Sequence, residues 1–112
     1  LAQQWEATPT RAELASLSLA ELLALAQRQF DAAQVTDPPG DNAVETYREM
    51  LRRQAGHPQA QAALRQIADG FEALAQARQR KGERDKALLA VDRGLQVLPD
   101  HAGLRALRGQ LQ

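Results

Sequence analysis

The side chains best suited to chemistry are two histidines, His57 and His101, and each stands near a proline in a predicted turn between helices. We interpret both as solvent-facing cap residues at the helix starts that follow them. No pair of His, Asp or Glu has the spacing of a metal site, and the absence of cysteine excludes thiolate ligands. The sequence therefore predicts no bound metal.

Nucleophiles and phosphate loops give no stronger signal. Ser16 and Ser18 lie near a predicted helix start, where a hydroxyl is typical of a cap. The segment Pro38-Pro39-Gly40-Asp41 has neither the glycine spacing nor the lysine of a phosphate-binding loop. We therefore predict no catalytic residue and no cofactor, and expect that the chain is not an enzyme.

Charge is concentrated in two basic clusters, which consist of Arg48, Arg52 and Arg53, and of Arg78, Arg80, Lys81, Arg84 and Lys86. Acidic residues interleave with them, a pattern that favours solvated helix faces with i,i+4 pairs. A groove for an acidic peptide is the alternative. The net charge of +0 argues against nucleic acid as a partner. No apolar run approaches the ~20 residues that cross a bilayer, so we predict no membrane insertion.

The elements that carry these residues are predicted to be helices. Aromatic residues make up 4% of the chain against 44% apolar residues, and a Leu- and Ala-rich core favours an all-α fold. We predict an N-terminal extension or linker over 1–17, in which Thr10-x-x-Glu13 could cap a short helix, and one helical domain over 18–112. The capping box Ser18-x-x-Glu21, the N-cap Asn42 and the apolar spacing predict about five helices, over 19–34, 42–54, 58–81, 84–98 and 101–111.

The third predicted helix contains Gly70 in its interior. Leu64, Ile67, Phe71 and Leu74 form an apolar stripe that keeps its phase through this glycine. A glycine inside a helix costs only ~1 kcal/mol, so we predict one continuous helix. A break at Asp69-Gly70 is the alternative.

One segment carries a repeat-like pattern. It has Phe71-x-x-Leu74-Ala75-x-x-Arg78 on one helix, then Gly82, then Ala87-x-x-x-Val91, Gly94 and Pro99. Two helices approach closely only where side chains are small, and Ala75, Ala87 and Gly94 supply those positions. This spacing resembles the tetratricopeptide repeat, although Arg78 stands where that family usually has Tyr, and a closing Pro is missing at Ala55.

The resemblance extends over 34–112. The motif Val35-Thr36-x-Pro38-x-Gly40-Asp41-Asn42-Ala43-x-x-x-Tyr47 is similar to tetratricopeptide-like segments of bacterial proteins. Such segments are commonly appended to multidomain, often membrane-attached signalling or envelope proteins. The resemblance thus implies antiparallel helical hairpins in a right-handed superhelix, placed on the cytoplasmic or periplasmic side of a larger bacterial protein.

The resemblance also implies a function. Its first helices line a concave surface, which on the third helix here corresponds to Asp69, Glu72, Gln76, Gln79 and Arg80. Glu72 would repel a peptide carboxylate, so a carboxylate clamp is not expected. We predict a non-catalytic module that binds a protein or peptide partner in a helical groove. The alternative is a regulatory or spacer domain of a larger membrane-attached enzyme, such as a signalling kinase.

Overall fold

Six α-helices account for most of residues 11–112, the part of the chain that the computed structural model describes. They are α1 (Arg11–Ser16), α2 (Leu19–Asp31), α3 (Ala43–Arg53), α4 (Pro58–Arg80), α5 (Arg84–Val97) and α6 (Ala102–Leu111). No strand occurs over those residues, so the all-α prediction is confirmed. The helix beyond the predicted five is α1, which lies in the segment assigned to a linker. Its predicted Thr10 cap lies outside the described residues.

Side-chain caps begin the helices where the sequence predicts them. The Ser18 amide donates to Glu21 Oε1 at 2.8 Å, and the Glu21 amide donates to Ser18 Oγ at 3.1 Å. The hydrogen bond from the Ser18 amide is the main cause that lowers the pKa of the Glu21 carboxyl. The Glu45 amide donates to Asn42 Oδ1 at 2.9 Å, which starts α3 in the same way. The capping box and the Asn42 cap are therefore confirmed.

Helix α4 is continuous through Gly70, as predicted. A methyl group built on Gly70 would meet no atom within 4 Å, so this glycine serves no close packing contact. The helix ends before Gly82, whose φ of 76° is the left-handed conformation expected of a C-terminal cap. No helix within 11–112 is long and apolar enough to span a membrane.

The chain divides into two compact units at residue 61. In the first unit, α2 packs against α3, and α1 also contacts α3. Its buried apolar side chains are Leu14, Leu22, Ala26, Ala43, Val44, Tyr47, Met50 and Ala60. The buried line of α2 runs through Leu22, Ala26 and Gln29, which leaves Phe30 on its flank and 42% exposed. Phe30 is therefore outside the core of the first unit, although it follows Leu22 and Ala26 at helical spacing.

In the second unit, α5 packs against α6. Its core includes Leu64, Ile67, Ala68, Ala75, Ala87, Ala90, Val91, Val97, Leu104, Leu107 and Leu111. A methyl group on Gly94 would stand 2.5 Å from Leu104 Cδ1 and 2.9 Å from Phe71 Cβ, so this position admits only a hydrogen. Leu74 is 43% exposed because the buried line of α4 passes through Ala75 beside it. Leu74 thus belongs to the apolar stripe of the sequence but not to the core.

Candidate functional site

The predicted partner-binding residues lie on the second half of α4, and we call Asp69, Glu72, Gln76, Gln79 and Arg80 the polar row of α4. Four of the five side chains are exposed, and Glu72 is partly buried. The first two residues of the row contact α6, whereas Gln76, Gln79 and Arg80 make no side-chain hydrogen bond or ion pair within the described part of the chain. We call Asp69 and Glu72 the occupied end of the row, because they contact His101, and Gln76, Gln79 and Arg80 its open end.

His101 forms the contact at the occupied end. Its side chain is only 6% exposed, and its Nε2 lies 2.6 Å from Asp69 Oδ1 and 3.8 Å from Glu72 Oε1. On the other side of the ring, Nδ1 accepts a hydrogen bond of 3.1 Å from the Leu104 amide. His101 is thus the predicted cap of the last helix, but the prediction that it faces solvent is wrong.

The hydrogen bonds define the tautomer of His101. The Leu104 N–H can only donate, so Nδ1 must be the acceptor and carry no proton. In the neutral ring the proton then resides on Nε2, which donates to the Asp69 carboxylate. Both ring nitrogens are therefore engaged, and neither offers a free lone pair to a substrate. This ring is not arranged as a general base.

The same three side chains satisfy the distance requirement of a metal site, because their ligand atoms all lie within 4.8 Å of one another. A metal ion on Nε2 would force the proton onto Nδ1, where it would face the Leu104 N–H instead of accepting from it. Metal-bound histidines normally donate their other N–H to an oxygen. The contacts of the Asp69–Glu72–His101 cluster therefore join the start of α6 to α4. We call this cluster the latch.

A close backbone approach supports this latch. A methyl group built on Gly103 would lie 2.6 Å from Glu72 Cδ, so the carboxylate of Glu72 packs directly on the first turn of α6. An anionic group is stabilised at a helix N-terminus by the unpaired backbone amides there. The glycine at 103 makes room for it.

In the first unit, a buried carboxylate organises the first basic cluster. Glu49 accepts hydrogen bonds from Arg52 at 2.6 and 3.0 Å and from Arg53 at 3.0 Å. Arg53 also donates to the backbone carbonyls of Leu14, at 2.5 Å, and Leu17, which ties the end of α1 to α3. The hydrogen bond from Arg52 is the main cause that lowers the pKa of the Glu49 carboxyl. An open cleft beside this network is lined by Leu14, Gly40, Glu45, Arg48, Glu49 and Arg52.

The proline-rich loop between α2 and α3 is held by side-chain hydrogen bonds. Buried Thr46 donates to Gln29 Oε1 at 2.6 Å, and Gln29 donates to Asp41 Oδ1 at 2.9 Å. Gln34 donates to Asp41 Oδ2 at 3.1 Å, and Asn42 donates to the Pro38 carbonyl at 3.0 Å. In the proline-rich part of the motif that starts at Val35, these hydrogen bonds therefore fix the loop between α2 and α3.

The second basic cluster surrounds one acid at the turn after α4. Arg78 donates to Glu83 Oε1 at 3.0 Å, and Lys86 donates to Glu83 Oε2 at 3.3 Å. These bonds, led by the one from Arg78, lower the pKa of the Glu83 carboxyl. The pairs with Glu83 span five and three positions instead of the predicted i,i+4 spacing, and they include only Arg78 and Lys86 of the cluster. Arg78 pairs with Glu83 at the position where the resembling family has a tyrosine.

Sequence reasoning missed the Asp69–His101 contact, because the two residues are separated by 32 positions. Nothing in the local spacing around either residue signals the other. Comparison with known proteins gave no guide either: the sequence matches no family model and no curated protein, and the structure matches no solved structure.

Proposed function

We propose that this chain is a non-catalytic interaction module that binds a polypeptide along α4, and that its helical hairpins follow the right-handed superhelical plan of tetratricopeptide-like repeats. Support for the repeat plan comes from the small residues at helix contacts. Ala75 and Ala87 are fully buried, and Gly94 lies against Phe71 and Leu104. These are the positions where the repeat requires small side chains.

The observation that carries the binding proposal is the open end of the polar row of α4. Gln76, Gln79 and Arg80 are exposed and have no intramolecular partner within residues 11–112. Gln79 and Arg80 follow Gln76 by three and four residues on the same long helix, so all three lie on one side of it. A helix face whose exposed amide and guanidinium groups have no partner in the chain suits an extended peptide, whose backbone offers donors and acceptors along its length.

Asp69 and Glu72 have a structural role in this proposal and do not contact the ligand. Because the latch to His101 engages them, they set the position of α4 against α6 and bound the surface at one end. The ligand would then bind to Gln76, Gln79 and Arg80, which form the open end of the row. The engaged histidine nitrogens agree with a binding role rather than a chemical one.

A displayed random-peptide library selected against the folded chain tests the proposal. We expect selected peptides to lose affinity about thirtyfold when Gln76→Ala and Arg80→Ala are combined, since each of the two hydrogen bonds to the ligand contributes about 1 kcal/mol. The matched control is Gln59→Ala with Gln61→Ala, two exposed amides at the other end of the same helix. A binding footprint confined to Arg48, Arg52 and Arg84, or no selected peptide at all, would contradict the proposal.

A further inference from the structure

The charges of this neutral chain are segregated along the sequence. Between Arg28 and Arg48 there are four acids, Asp31, Asp37, Asp41 and Glu45, and no Lys or Arg. From Ala73 to Gly82 there is no acid, whereas Arg78, Arg80 and Lys81 are cations. The region in the first unit thus carries four negative charges, and the region in the second carries three positive charges.

Some of the acidic side chains accept hydrogen bonds from other groups of the chain, whereas others form no ion pair within residues 11–112. Asp41 accepts from Gln29 and Gln34, and Glu45 accepts from the Gly40 amide and Asn42. By contrast, Asp31 and Asp37 form no ion pair within the described residues, although Asp37 accepts from the neighbouring Thr36 hydroxyl.

The basic region shows the same division. Arg78 is paired with Glu83, but Arg80 and Lys81 have no carboxylate partner anywhere in 11–112. Both side chains are exposed at the end of α4. The two regions therefore each present unpaired charge of one sign.

In each region, a large exposed apolar side chain lies close in sequence to an unpaired charge. Phe30, 42% exposed, directly precedes Asp31 at the end of α2. Leu74, 43% exposed, lies on one helix stripe with Ala77 and Lys81, because these positions are three and four residues apart. We call Phe30 and Asp31 the acidic edge, and Leu74 and Lys81 the basic edge.

We propose that the acidic edge of one copy docks on the basic edge of a second copy, with Phe30 packed near Leu74 and the unpaired charges facing one another. The two edges are different surfaces of the chain, so the contact is heterologous and leads to head-to-tail chains or closed rings. Surface ion pairs alone contribute little, whereas burial of the two apolar side chains adds a non-directional driving force. The inference does not rest on the peptide-binding proposal.

Sedimentation velocity of the whole chain tests this inference. We expect the weight-average sedimentation coefficient to rise with protein concentration up to about 1 mM at roughly 50 mM salt. The rise should be smaller at roughly 500 mM salt, since exposed charges are screened there. A single monomeric species at every concentration in low salt would overturn the proposal.

Charge reversal makes the test specific. Lys81→Glu and Asp31→Lys should each weaken self-association about fivefold, and Leu74→Ser about tenfold. An equimolar mixture of Lys81→Glu and Asp31→Lys should associate again, because each variant keeps the one edge that the other has lost. None of these substitutions alters the open end of the polar row of α4, so selected peptides should still bind.

The control is Arg105→Glu, which changes the net charge by the same amount at an exposed site outside both edges. It should leave self-association unchanged, and circular dichroism should show native helix content for all variants. An equal effect of Arg105→Glu, or no recovery in the mixture, would show that net charge and not the two edges governs association, and the proposal would be wrong.

Discussion

The glycines at 70 and 94 both lie inside helices, but they should respond in opposite ways to the same substitution. Gly70→Ala adds a methyl group where no atom lies within 4 Å, so only the helix preference of alanine acts. That preference stabilises the folded state by about 0.5–1 kcal/mol. We therefore expect a higher urea midpoint for Gly70→Ala.

Gly94→Ala gains the same helix preference but meets a filled space. The new methyl would stand 2.5 Å from Leu104 Cδ1 and 2.9 Å from Phe71 Cβ. Leu104 is fully buried, so its side chain has no room to withdraw, and Phe71 Cβ is attached to the backbone of α4. Overpacking costs typically 1–3 kcal/mol, which outweighs the preference. We expect a net loss of about 1 kcal/mol and a gap of about 2 kcal/mol between the two variants.

Urea unfolding followed by far-ultraviolet circular dichroism measures this gap, with the two midpoints compared at equal denaturant slopes. A changed slope would mean that the unfolded state or the cooperativity had changed instead. If Gly94→Ala were as stabilising as Gly70→Ala at an unchanged slope, the close approach of α5 to α4 and α6 would be refuted, and with it the small-residue argument for the repeat plan.

Three further outcomes are expected. Ala87→Leu should lower the free energy of unfolding by about 1–3 kcal/mol, because Ala87 is fully buried, and an unchanged urea midpoint would count against this. The stability difference between wild type and Glu49→Gln should be full above about pH 4.5 and vanish as the pH falls through the lowered pKa of Glu49; a difference constant from pH 7 to 3 would refute the pairing. His101→Ala should cost about 1 kcal/mol through loss of the Leu104 cap, whereas His101→Asn should retain most of it, and equal losses would argue against the cap.

Much of the helical layout could be predicted from sequence, because its signals are local. Ser18 with Glu21, Asn42 and Gly82 each mark a helix end through bonds or backbone conformations confined to a few neighbouring residues. The continuity of α4 followed from the unbroken apolar spacing on both sides of Gly70. For the short helix α1 the sequence offers only the spacing of Thr10-x-x-Glu13, since six residues give too few turns for a clear periodicity.

The positions of Phe30 and Leu74 show where this reasoning fails. Apolar spacing identifies the side of a helix that faces the core, but the width of the covered stripe depends on the neighbouring helices. On α2 the polar Gln29 is buried instead, because Thr46 and Asp41 supply its hydrogen bonds from other elements. Such compensation across the fold has no signature in the periodicity of one helix.

The sequence by itself determined the all-α class, most helix ends and the small-residue positions, because propensity, capping and steric size act within a few residues. Only the tertiary structure decided which polar side chains are free for a partner. Asp69 and Glu72 looked equivalent to Gln76 and Arg80 until α6 brought His101 against them, across 32 residues of chain. Helix ends are set by nearest neighbours, whereas the occupation of a surface is set by whatever distant element folds onto it.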